Sequence, residues 1–283
     1  MASNMKAVKL RMKSIQSTMQ ITKAMELVAA SKLRKAKDRA ENTKHGFRLM
    51  QKTLCGIASG NGDFTSVYTK DNGNEKYLFI VIAGDRGLAG GYNSNLFKFV
   101  DSLMTGKSTC ILPIGKKAVE YYKKKNAECL DENFQIVADI HISDCFTMSR
   151  HICKRFAKKE FGHVVLCYTE FENMLRQVNR AIPILPLNDF ASEENADIVK
   201  NVIEYKPDAE TVFDAIVPEF VTSLVYGGIC ESVASELAAR RTAMDAATKN
   251  AGEMIDKLEL YYNRARQASI TQEITEIVAG ADS

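Results

Sequence analysis

The sequence is short of residues that break helices, and the shortage is uneven. Its five prolines are Pro113, Pro183, Pro186, Pro207 and Pro218, and residues 1–55 hold no proline and a single glycine, Gly46. Residues 219–283 again hold no proline and only Gly227, Gly228, Gly252 and Gly280. Such stretches, rich in Ala, Lys, Glu, Met and Leu, favour helix at both ends of the chain. The seven cysteines (Cys55, Cys110, Cys129, Cys145, Cys153, Cys167 and Cys230) form no CxxC pair. They also stand at no short zinc spacing from the four histidines, His45, His141, His151 and His163. That pattern argues against a structural zinc site or a disulfide framework and fits scattered reduced thiols. No run of ~20 apolar residues supplies the length of a membrane-spanning helix. Lys6, Lys9, Arg11 and Lys13 crowd the start without an apolar signal core. The helical pattern begun there continues past residue 40, so a removable leader is not expected.

What is present is charge, and it is divided by sign. The 283 residues are 46% hydrophobic and 26% charged, the composition of a globular chain able to build a core. A net charge of +3 does not point to nucleic acid. Residues 1–52, however, hold 13 Lys or Arg against 3 acids, and residues 208–283 hold 6 bases against 13 acids. Opposite signs at the two ends fit separate partners, or ends that lie against each other.

The end segments carry helical stripes. Val8, Met12, Ile15 and Met19 are spaced four, three and four; after a shift, Met25, Ala29, Leu33, Ala36 and Ala40 continue, then Phe47, Met50 and Leu54. In the C-terminal segment Leu237, Met244, Ala251, Leu258 and Ala265 fall seven apart, with Ala247, Met254, Tyr261 and Ala268 as a second series offset by three. Two such series over several heptads are the pattern of a coiled coil. At ~1.5 Å per residue, helices of some 50 and 65 residues reach ~75 and ~100 Å, more than a compact domain holds, and are expected to project. Paired antiparallel, the basic and acidic helices would offset each other's charge. Exposed pairs contribute only a few tenths of a kcal/mol, so seam burial must supply most of the stability.

The middle alternates. Residues 77–83 (YLFIVIA) read as a strand, followed by the loop GDRGLAGGYN and a helix from about Asn95 to Met104. Residues 110–115 read as a strand, 118–125 as a helix, 134–142 as a third strand candidate and 143–160 as a helix. Residues 164–171 are a further strand that 177–185 pairs with, and 189–210 are a polar connection. Apolar strands alternating with helices predict an α/β domain with a mostly parallel sheet.

No motif in this middle carries chemistry on its own. The loop from Gly84 to Gly91 sits where nucleotide-binding loops sit, but it is not GxGxxG, and no acid ends a clear second strand to take a ribose. Thr105-Gly106-Lys107-Ser108-Thr109 is similar to the end of a Walker A loop, yet Asp101 occupies the place of the required glycine. The loop is read as a tight turn, and no cofactor is expected. His141, His151 and His163 have no nucleophile motif beside them and read as packing or surface residues. Asp85 and Arg86 are either a site or a structural ion pair. Lys32, Arg34, Lys35 and Lys37 form a basic face, solvated or turned to an anionic partner. Without interleaved aromatics it does not suit single-stranded nucleic acid.

Three segments carry a family resemblance. ITKAMELVAASKLRKAK (21–37), GDRGLAGGYNSNLF (84–97) and RQASITQEITEIVAGA (266–281) resemble, in order and over essentially the whole chain, the signature regions of the γ subunit of F-type ATP synthase, bacterial type. The resemblance implies a long antiparallel coiled coil of the terminal helices and a central Rossmann-like α/β domain. The implied division is a coiled-coil helix at 1–58, the α/β domain at 75–190, a connector at 191–210 and a second coiled-coil helix at 211–283. It implies a non-catalytic central rotor shaft, coupling ion-driven rotation of a c-subunit ring to conformational cycling of catalytic β subunits. The implied partners are the α and β subunits of a hexameric head, the ε subunit and the c-ring, with no nucleic acid and no membrane span. Residue by residue, Arg266 and Gln267 match a pair contacting a loop of β, and Thr271 and Glu273 match neighbouring polar contacts. Met25 matches a methionine facing the acidic lever of β, with Lys23, Lys32 and Arg34 beside it. Tyr205 and Lys206 match a segment reaching the c-ring and ε, though some relatives carry an acid in place of Lys206. The cysteine-bearing insertion of chloroplast relatives is absent, and a place on the cytoplasmic face of a bacterial plasma membrane is implied. The alternatives from other classes are a nucleotide-binding α/β enzyme with coiled-coil arms and a free-standing coiled-coil scaffold.

Overall fold

The structure, a computed structural model, describes residues 2–59, 64–130, 136–187 and 204–281. It divides into two compact units, Lys32–Ala239 and the combination of Met1–Ser31 with Arg240–Ser283. Among the described residues five α-helices and four strands follow in the order α1 (Ala2–Ser59), β1 (Tyr77–Ile82), α2 (Tyr92–Met104), β2 (Thr109–Ile114), α3 (Lys116–Lys124), α4 (Ile142–Ala157), β3 (His163–Phe171), β4 (Gln177–Leu185) and α5 (Ala209–Ala281). The connector expected at 191–210 lies outside the described residues as far as 203.

In the unit Lys32–Ala239 the strands form one sheet in the order β2-β1-β3-β4. β1 pairs parallel with both β2 and β3, and β4 runs antiparallel to β3. β1 shows no polar alternation because both of its faces are covered. Leu78, Ile80 and Ile82 point into a core shared with Leu54 and Ile57 of α1, Ile152 and Phe156 of α4, and Phe213, Val217, Val221 and Val225 of α5. Phe79 and Val81 point the other way, onto Leu96, Phe97 and Val100 of α2 and Ala118 and Tyr122 of α3. By length and composition alone α5 is apolar enough to cross a membrane. Its apolar first third is instead part of this core. Asp208 starts that helix, its carboxylate accepting the Thr211 amide at 2.7 Å and the Thr211 hydroxyl at 2.9 Å.

The third strand candidate, 134–142, is not a strand. Phe134 and Gln135 lie outside the described residues; Val137–Asp139 is a single 3-10 turn and α4 begins at Ile142. The reason is Asp85. Its carboxylate accepts the amides of Val137 (3.0 Å), Ala138 (3.4 Å) and Lys116 (3.2 Å), taking donors a sheet neighbour would need. The turn that delivers Lys116 depends on Gly115, whose φ is +96° and where a Cβ would lie 2.1 Å from the carbonyl oxygen of Ala83.

In the other unit, α1 and α5 run antiparallel with Thr22 Oγ1 and Thr248 Oγ1 2.8 Å apart. Met5, Val8, Met12, Ile15, Met19, Thr22, Glu26 and Ala29 are buried or half-buried on α1, alternating three and four apart. The expected shift at Met25 is therefore absent: the seam continues without interruption through two polar residues, and Met25 flanks it, half-buried. On α5 the seam is Met244, Thr248, Ala251, Ile255, Leu258, Tyr262, Ala265 and Ser269. The first heptad series holds, but the second is displaced by one residue from the expected 247, 254, 261 and 268. Met254 and Tyr261 are 54% and 50% exposed.

Two ion pairs in this unit are each within one helix, Lys23–Glu26 and Lys249–Asp245, both at 2.8 Å. In the unit Lys32–Ala239, Lys44 does reach across to Glu231 at 2.8 Å.

Two substitutions test this packing. Asp85→Ala strands three amides and is expected to lower stability by about 1–3 kcal/mol, read as a lower urea midpoint at unchanged slope. Tyr122 Oη is buried without a hydrogen-bond partner among the described residues, and burial pushes its phenol far above the usual range. Tyr122→Phe should therefore leave the chain equally stable or more so; a loss above about 1 kcal/mol would show a hydroxyl that is bonded after all.

Candidate functional site

The residues singled out from the sequence fall in two places, one in each unit. In the unit built from the chain ends, α1 presents Lys23 and Met25, and the last turns of α5 present Arg266, Gln267 and Thr271, all three exposed. Lys23 is half-exposed, its ammonium on Glu26. The side chain of Glu273 lies outside the described residues. Around them Ile270, Ile274, Ile277 and Val278 are 47%, 56%, 72% and 56% exposed. Positively charged, hydrogen-bonding and apolar side chains thus share the surface of one helix end. On the α1 side, Ile21, Leu27 and Val28 are also more than half exposed. A run of large exposed apolar groups is the mark of a surface that something else covers.

In the unit Lys32–Ala239, Tyr205 is half-buried and packs against the main core, while Lys206 beside it is exposed. Lys32, Arg34, Lys35 and Lys37 are exposed along α1, with Lys37 3.6 Å from Glu41. The basic face is therefore solvent-facing within this chain.

The glycine loop serves packing. Gly84 donates its amide to Asn93 Oδ1 at 2.9 Å and accepts the Lys117 amide at 3.0 Å. A Cβ at Gly84 would lie 2.7 Å from the Glu236 carboxyl carbon, so α5 approaches the loop closely. Tyr92 closes the same junction by donating to the Ser232 carbonyl at 3.0 Å. Asp85 spends its carboxylate on backbone amides, which answers the choice between a site and an ion pair with Arg86 in favour of a third role, a clamp on α3 and the 137–138 turn. It places a negative charge against the α3 N-terminus, where the helix dipole favours it.

Burial pushes the thiols of Cys145, Cys153 and Cys167 up to about 12, so they stay protonated at neutral pH. His163 stacks on Tyr77 at 4.4 Å between ring centres. The residues that pattern reading overlooked are Thr22, Glu26 and Thr248. Their signal was the three-four spacing itself, which continues through them although they are polar.

The chain is similar to known proteins along nearly its whole length. The family profile described as ATP synthase matches residues 4–283. The ATP synthase gamma chain of Ruminococcus albus is 45% identical over 282 residues, covering 97% of this chain and 96% of its own. The sodium ion specific ATP synthase gamma chain of Acetobacterium woodii is 37% identical over 300 residues, covering 100% and 99%. Among solved structures, a chain of the Euglena gracilis mitochondrial ATP synthase, in an assembly of OSCP, F1 and c-ring, superposes with a TM-score of 0.71 at 17% identity. It matches 99% of this chain and 94% of that one, a likeness of fold. Similarity over the full length to the family profile and to named relatives shows it: the chain belongs to the ATP synthase gamma-chain family, the non-catalytic central-stalk subunit of that rotary enzyme.

Proposed function

We propose that this rotor chain engages the catalytic β subunits through Lys23, Met25, Arg266, Gln267, Thr271 and Glu273, and the c-ring and ε subunit through the segment at Tyr205 and Lys206. The observation that carries the first half is the α5 end, where Ile270, Ile274, Ile277 and Val278 stand exposed beside a guanidinium. An apolar sleeve provided by the α and β subunits would remove those side chains from water, at roughly 25 cal/mol per Å². A carboxylate of β would meet Arg266 in a charge-assisted bond. The basic stretch from Lys32 to Lys37 complements an acidic lever on β, and such complementarity favours encounter and register over raw affinity.

Torque then follows from differential contact. A turning shaft with unlike faces favours a different conformation at each β subunit, and it shifts each equilibrium only by its difference in interaction between the states. The chain does no covalent chemistry in this scheme. It carries rotation from the ring, driven by protons or sodium ions, to sites it does not touch chemically, and ATP-driven ion pumping is the same path reversed. As a peripheral subunit of a membrane-bound machine, it is placed in this reading on the cytoplasmic face of a bacterial plasma membrane.

Arg266→Ala should leave the fold of the chain intact, because the side chain is exposed, while lowering ATP-driven ion pumping of the assembled enzyme by about tenfold, the scale of one charge-assisted hydrogen bond. Pumping at the parental rate would remove Arg266 from the contact. In a second test, deleting the residues after Val278 should be tolerated better than cutting back past Thr271, since the first cut spares the polar contacts. Equal loss of pumping from both truncations would contradict the assignment of Arg266, Gln267 and Thr271.

A further inference from the structure

The last turns of α5 within the unit Lys32–Ala239 are buried although they are polar. From Phe213 to Ile229 the face that α5 turns to the sheet is apolar and belongs to the main core. Beyond it Glu231, Ser232, Ser235 and Glu236 are 6%, 1%, 0% and 8% exposed. A polar group buried in this way costs free energy unless it is hydrogen-bonded.

The partners lie on β3. That strand runs to Phe171, whereas its pairing with β1 ends where Val81 meets Cys167. On the edge away from β4, the backbone beyond Cys167 therefore has no strand to meet. Side chains of α5 take the strand's place. Thr169 donates its amide to Ser232 Oγ at 3.3 Å, and Ser235 Oγ donates to the Thr169 carbonyl at 3.0 Å. Phe171 donates its amide to Glu231 Oε2 at 2.8 Å. The other carboxylate oxygen of Glu231 takes the Lys44 ammonium of α1 at 2.8 Å, and Tyr92 of α2 donates to the Ser232 carbonyl.

These bonds have a phase. A serine hydroxyl can donate to its own helix whichever way the helix faces, but a main-chain N–H only donates and needs an acceptor brought to it. If α5 turned about its axis, Thr169 and Phe171 would lose their acceptors, Thr169 at a position only 2% exposed to water. Apolar burial is non-directional, whereas a hydrogen bond weakens steeply once it is misaligned.

We propose that Glu231, Ser232 and Ser235 clamp α5 to β3 in place of the missing strand, so that a load applied to the sheet domain turns the shaft helix with it. They are positioning residues for torque transfer and do no chemistry. The inference rests on the rotor role of the chain and not on the β or c-ring contacts proposed above.

The test uses the full chain assembled with its α and β subunits, the head fixed to a surface. A bead is attached to Lys124→Cys, an exposed position on α3, with the half-buried Cys129 replaced by serine. Its angular distribution during a nucleotide dwell reads the twist between sheet domain and head. Glu231→Leu with Ser232→Ala removes both acceptors. The share of time spent outside the parental angular range should rise by about fivefold to thirtyfold, the equilibrium effect of one to two net hydrogen bonds. ATP hydrolysis without a bead should stay at the parental rate. Glu231→Gln, which keeps an acceptor for Phe171, should give the parental distribution; broadening by glutamine equal to that by leucine would overturn the clamp in favour of the Lys44 ion pair. Should the double variant not assemble, Ser232→Ala alone removes the acceptor of the buried Thr169 amide and is read in the same way. A distribution left unchanged would overturn the proposal and assign the hold to close packing at Gly228, where a Cβ would lie 3.2 Å from Ile82 and Leu166.

Discussion

A helix cannot bury its own apolar stripe, and α5 carries one along most of its 73 residues. Each stretch of that stripe needs a different cover. From Phe213 to Ile229 the cover is the sheet face of Leu78, Ile80, Ile82 and Leu166, together with α1 and α4. From Met244 to Ser269 it is α1, whose spacing of three and four matches. From Ile270 to Val278 no such cover lies among the described residues, and the apolar groups are exposed. The α/β domain, the paired helices and the contact surface are three answers to one requirement of burial.

Local chemistry decides where the regular elements stop. Asp85 is the clearest case: one carboxylate on three amides holds the start of α3 and converts a candidate strand into a turn. The glycines around it do the complementary task, admitting backbone and α5 to distances that a side chain would forbid. A loop that by position resembles a nucleotide cradle thereby becomes a joint between the carboxyl ends of the strands and the C-terminal helix. Its own carboxylate faces the N-terminus of α3.

The strands and helices of the middle were legible because both faces of β1 are covered, so its apolar run had no competing reading, and because Gly and Pro punctuate its neighbours. Residues 134–142 misled for the same reason: alternating apolar residues look alike in a strand and in a tethered turn, and only a long-range partner, Asp85, separates them. The seam was legible in period but not in phase. Met254 and Tyr261 are apolar candidates beside Ile255 and Tyr262, and Thr22 and Thr248, which meet across the seam, are 226 positions apart. The proposed contact residues were legible only through resemblance. Arg266 and Gln267 look like any solvated pair until the exposed isoleucines that follow them are taken into account.

The three-four alternation has a mechanical consequence. It averages 3.5 residues per turn against 3.6 for a straight helix, so the contact line drifts ~20° per heptad and the two helices must wind about each other left-handedly to stay in contact. A wound pair is chiral. Torque applied in one sense tightens the winding and presses the Met and Ala layers together; in the other sense it opens them. An element with that handedness is stiffer against one direction of rotation than the other, a property that a straight rod of the same sequence length would lack.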